Sequence, residues 1–117
     1  MTTHPNEIAT AQLPETIRAF LAAHAAREAD AAMRAFVADP LVVDQDERFE
    51  GAGQVRRFLT EAGTEFTYTS TLVGARRTDD THWVAVLHLE GDFPGGVADL
   101  EYAFVLDGDL VTQLRIR

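Results

Sequence analysis

With 117 residues, 46% apolar and 25% charged, the chain has room for one domain and the composition of a globular protein, which excludes disorder and fibrous repeats. A net charge of −9, with arginines paired only at Arg56-Arg57 and Arg76-Arg77, lacks the basic stripe a nucleic-acid partner would need. The absence of cysteine removes disulfides and thiol chemistry and suits a reducing cytoplasm, and no run of about 18 apolar residues is present to span a membrane.

Residues 1 to 12 are polar and unpatterned and are expected as a loose leader without a secretion signal, leaving 13 to 117 as the domain. Pro14 suits the first turn of a helix in which Ile17, Phe20, Leu21 and His24 share one face at spacings of three and four. Asp30 is expected to cap a second helix running through Val37, its apolar face Met33, Phe36 and Val37, before "ADP" ends it. "LVV" then reads as a short strand ending near Asp44, and "GAGQVRRFLTEAG" as a third helix with Val55, Phe58 and Leu59 inward and Gly63 closing it.

The remainder reads as strand. "TEFTYTSTLVGARR", "THWVAVLHLEGDF", "ADLEYAFVLDG" and "DLVTQLRIR" alternate apolar and polar residues and are separated by the turn signals "TDD", "PGG" and "DGD". Ala98, Leu100, Tyr102, Phe104 and Leu106 form the face expected to be buried, and Trp83, Ala85, Leu87 and Leu89 do the same on the preceding strand. The predicted fold is α+β: a cone-shaped, curved antiparallel sheet packed on three N-terminal helices, with a small apolar pocket at the mouth of the cone.

The segments "FLAAHAAREADAAMRAFVADPLVVD", "FEGAGQVRRFL" and "FVLDGDLVTQLRI" resemble the nuclear-transport-factor-2-like superfamily, in particular its SnoaL-like and ketosteroid-isomerase-like branches. That resemblance implies the same cone and places Asp44 where ketosteroid isomerases keep a general base. It implies less about function, because the superfamily holds enzymes, binding modules and dimerisation domains on one scaffold. The family's helix-one tyrosine falls on Phe20, which has no hydroxyl, and its oxyanion-binding aspartic acid falls on Tyr102, which can donate a hydrogen bond.

Two readings of the site stay open. In the first, a small apolar carbonyl compound is held by Phe20, His24, Phe58, Tyr68, Trp83 and Leu87, with Asp44 as acid or base and Tyr102 as donor. In the second, the domain binds a ligand or a second copy without catalysis, Asp44 is a solvated acid and Tyr102 a core tyrosine. Asp46, two residues on, is expected on the same side as Asp44 as a perturbing like charge. The mixed face carrying His82, Val84, Val86, His88 and Glu90 is expected as an outer surface that forms a homodimer or faces water. His82 and His88 lie about 20 Å apart along one strand, so no metal site is expected, and no cofactor motif is present.

Overall fold

The computed structural model describes residues 6–61 and 66–117. In chain order these form β1 (Glu7–Ile8), a 3-10 turn, α1 (Glu15–Ala25), α2 (Ala29–Met33), β2 (Phe36–Asp44), β3 (Glu47–Glu50), α3 (Gly51–Glu61), β4 (Tyr68–Arg77), β5 (His82–Gly91), β6 (Val97–Asp107) and β7 (Leu110–Ile116). The seven strands make one curved, unclosed sheet in the order β1-β4-β5-β6-β7-β2-β3. Every pairing is antiparallel except β2 with β7, which run parallel.

Helix α1 buries Ile17, Phe20, Leu21 and Ala23, and α3 buries Val55, Phe58 and Leu59. These stripes meet Phe104, Leu114, Val42 and Val111 from the sheet, and all of them are closed to solvent. Each of these side chains larger than alanine contributes about 1.5–3 kcal/mol of transfer free energy on burial, which sets the helices against one face of the sheet. The alternation on β6 is as expected, with Tyr102, Phe104 and Leu106 buried and the residues between them only partly covered.

Three expectations are corrected. Glu7 and Ile8, placed in the loose leader, pair with Arg76 and Ala75 on the sheet edge, and Ile8 packs on the core. The second helix stops at Met33 instead of Val37, because Phe36 and Val37 open β2. Proline at 40 forces the preceding residue extended and cannot donate to a ladder, and the β2–β7 register shifts between Phe36 and Leu41, around it. A short strand β3, hidden in the charged run after Asp44, returns along β2 as a hairpin. Glu47, Arg48 and Glu50 put charge on that sheet edge, where it discourages pairing with another chain. Gly63, the expected end of α3, lies outside the described residues.

Candidate functional site

A cavity of about 270 Å³ opens at the end of the sheet where β2, β5 and β7 finish and β4 and β6 begin. Helix α1 supplies His24 from its last turn and α3 supplies Phe58. The strands add Tyr68, Leu89, Ala98, Leu100, Tyr102 and Ile116, while Phe66 and Phe93 close in from the segments beside β4 and after β5. Asp44 and the neighbouring Gln45 complete the wall.

Register fixes the relation between the acid and the tyrosine. Asp44 is the partner of Ile116 across β2–β7, and Tyr102 is the partner of Ile116 across β6–β7. Side chains of directly paired residues point to the same face, so all three look inward. Asp44 is half-buried, and its carboxyl is raised above the ordinary carboxylate range by desolvation and then by the nearby Glu47. Burial is also the leading reason the Tyr102 hydroxyl is raised far above a free phenol, with Tyr68 and Asp44 adding to it. Among the described residues, neither the Asp44 carboxyl nor the Tyr102 hydroxyl has a hydrogen-bond partner, yet no polar side-chain atom is sealed and unsatisfied. Both groups therefore face the open space of the cavity.

The turn that carries Asp44 explains why its like-charge neighbour is Glu47 and not Asp46. Gln45 and Asp46 both have positive φ, 48° and 79°, as the two central residues of a type I′ hairpin do. The chain reverses there, Glu47 becomes the cross-strand partner of Asp44, and Asp46 is carried away in the turn.

His24 is held by ring contacts. Phe20 stacks on it at 5.6 Å and 11°, and Phe58 makes a second stacked contact at 5.9 Å and 19°. Burial, followed by the positive charge of Arg27, lowers its pKa to about 4, so the ring is neutral near pH 7. Arg27 closes α1 with φ of 60°, its N–H bonded to the His24 carbonyl and the N–H of Glu28 bonded to that of Ala23, a Schellman closure. Its guanidinium lies 5.3 Å over the Tyr68 ring, which ties the helix end to the cavity wall.

Five of the eight residues singled out from sequence meet on this cavity: Asp44, Tyr102, His24, Phe58 and Tyr68. Three do not. Phe20 lies one helical turn deeper, edge-on to Phe36 and Phe104 in the core and bordering a separate hollow on the helix side. Leu87 is sealed in the core. Trp83 sits at the opposite end of β5, with Arg77 5.0 Å over its ring and Phe104 as its register partner. Phe66, Phe93 and Ile116 were missed; all three lie at the ends of runs read as alternating, Phe66 just before β4, Phe93 just after β5 and Ile116 as the last residue of β7.

Among the described residues no group of three histidines or acids could hold a metal ion, and no helix is long and apolar enough to cross a membrane. No protein-family model and no curated protein matches the chain. Solved structures do. A candidate polyketide cyclase from Sinorhizobium meliloti superposes with a TM-score of 0.84 at 22% identity, covering 94% of this chain and 100% of that one. An NTF2-like protein of unknown function from Cytophaga hutchinsonii gives 0.71 at 12% identity, covering 100% and 93%. The chain has the nuclear-transport-factor-2-like fold. A third protein that superposes on this NTF2-like chain, from Mycobacterium tuberculosis and in complex with estradiol-17beta-hemisuccinate, gives 0.70 at 13% identity over 86% and 88%.

Proposed function

We propose that this NTF2-like domain binds a small, largely apolar carbonyl compound in the cavity and moves a proton on it. The observation that carries this reading is the pairing of Asp44 and Tyr102 on either side of Ile116, both facing a cavity lined mostly by aromatic and aliphatic side chains. A desolvated carboxylate is a stronger base than one in water, and a hydroxyl without a protein partner is available to a ligand oxygen. The Asp44 carboxylate takes a proton from the carbon beside the carbonyl. The C–H electron pair becomes the enolate, with its charge on oxygen, and Tyr102 donates a hydrogen bond to that oxygen. Protonated Asp44 then returns the proton to the same or a conjugated carbon, and no other reactant is consumed. The ligand held by the Mycobacterium tuberculosis neighbour, estradiol-17beta-hemisuccinate, carries an apolar ring system.

The test uses 1-indanone and related small ketones in heavy water, with exchange of the protons beside the carbonyl followed by NMR. Wild type is expected to exchange them faster than buffer, Asp44→Asn to lose about 100-fold or more of that rate, and Tyr102→Phe about 10–100-fold. Exchange at the buffer rate across the panel removes the catalytic reading. The second reading is a module that holds its ligand without turnover; ketone binding without exchange would select it.

We also propose a homodimer through the outer sheet face, where Val84 and Val86 of β5 lie beside Ala103 and Glu101 of β6. A mass in solution equal to one chain removes it.

A further inference from the structure

His24 lines the cavity with its ring stacked against Phe20 and Phe58, and neither ring contact supplies a hydrogen bond. The near-parallel stacking sets the plane of the imidazole and occupies its apolar surface, so the edge that carries the nitrogens is what remains for a ligand. Among the described residues that edge makes no hydrogen bond, and no ring nitrogen is sealed without a partner. A structural histidine buried for packing normally spends its N–H on a carbonyl or carboxylate. This one does not, and it shares the cavity with a tyrosine hydroxyl in the same condition.

We propose that His24 is a second catalytic hydrogen-bond donor, its neutral imidazole N–H acting with the Tyr102 hydroxyl on the carbonyl oxygen of the ligand. The inference rests on the proton-transfer reading of the cavity and adds to it a residue that the Asp44–Tyr102 pair leaves unused. A neutral imidazole offers one donor and one acceptor. It stabilises developing negative charge without carrying a formal charge that would form an ion pair with Asp44 and weaken it as a base. The low pKa of His24, caused by burial and by Arg27, keeps the ring in that form across the neutral range. Two other polar groups reach the wall, the Tyr68 hydroxyl and Gln45, and Gln45 is exposed in the hairpin turn, where water competes for its amide.

The probe is 4-nitrophenolate, an apolar ring bearing a preformed oxyanion whose absorbance reports hydrogen bonding. Binding is measured in an Asp44→Asn background, which stands in for the protonated base and removes the repelling charge. His24→Phe retains the stacked ring and deletes the N–H; it should weaken binding at least tenfold, as should Tyr102→Phe, and His24→Gln should recover part of the loss. The His24 N–H proton of the Asp44→Asn protein should move downfield when the probe binds, a readout that survives even if His24→Phe folds poorly. Unchanged affinity in His24→Phe with an unmoved N–H resonance overturns the role of His24 while a weakened Tyr102→Phe preserves the proton-transfer reading. Loss in His24→Phe without rescue by glutamine and without an N–H shift means packing alone, which also overturns it. If the Asp44→Asn protein does not bind the probe, both readings fall.

Discussion

Asp44 and Tyr102 occupy one row of the sheet two strands apart, each the register partner of Ile116 on β7. Strand spacing sets their backbones about 10 Å from one another, enough for a ring or a short unsaturated chain to lie between acid and hydroxyl.

The raised pKa of Asp44 gives a sign for its effect on stability. A carboxyl that holds its proton more tightly when folded favours folding below its unfolded pKa and loses that contribution as pH rises through the folded value. At pH 7 the ionised group therefore opposes folding. Asp44→Asn should melt at the same temperature as wild type or higher at pH 7, with the difference shrinking below pH 4; calorimetry at the two pH values checks it. A large loss of stability would mean the carboxylate is structural.

His24 has the opposite linkage. Its folded pKa of about 4 lies below the ordinary value of 6.5, so the contribution is present above 6.5 and is lost as pH falls toward 4. The chain should lose up to about 3 kcal/mol from this group over that interval, a slope that His24→Phe removes. Denaturant melts between pH 7 and pH 4 measure it, and Arg27→Gln should move the His24 midpoint upward in an NMR titration.

Glycine 91 is the register partner of Tyr68, and a Cβ there would stand 2.5 Å from the Tyr68 Cβ and closer still to the Thr67 carbonyl oxygen. Gly91→Ala should cost about 1–3 kcal/mol and displace a wall of the cavity. Gly53, in α3, has nothing within 4 Å of the same position. Gly53→Ala should stabilise by about 0.5–1 kcal/mol, so the pair of melts separates a packing requirement from helix propensity.

The hairpin that carries Asp44 asks two non-glycine residues for positive φ. Replacing Gln45-Asp46 by Asn-Gly supplies residues suited to that turn and should stabilise by about 1 kcal/mol while leaving the Asp44 titration raised. An Asp44 that returns to an ordinary value in this variant would show that Gln45 or Asp46, and not burial with Glu47, sets its environment.

The helices and strand faces were readable because they rest on period. Ile17, Phe20 and Leu21 repeat at helical spacing and Tyr102, Phe104 and Leu106 at strand spacing, and each set is buried. Period fixes the face of a strand but not the position along it. Trp83 and Leu89 share an inward face of β5, yet only Leu89 reaches the cavity, because Trp83 lies at the far end. Phe36 and Val37 fit a helical pattern equally well and became strand through the proline at 40 and pairing with β7. Phe66 and Phe93 meet only through tertiary closure, T-shaped at 6.1 Å with Tyr68 edge-on to Phe93, which no local pattern encodes.

The most direct test is the titration of the Asp44 carboxyl by carbon-detected NMR in the folded chain and in the chain unfolded by urea. A folded midpoint above the ordinary value of 3.8, returning to that value on unfolding, is the predicted result. A folded midpoint at or below 3.8 would place the carboxylate in water or in an ion pair, and the cavity would have no base.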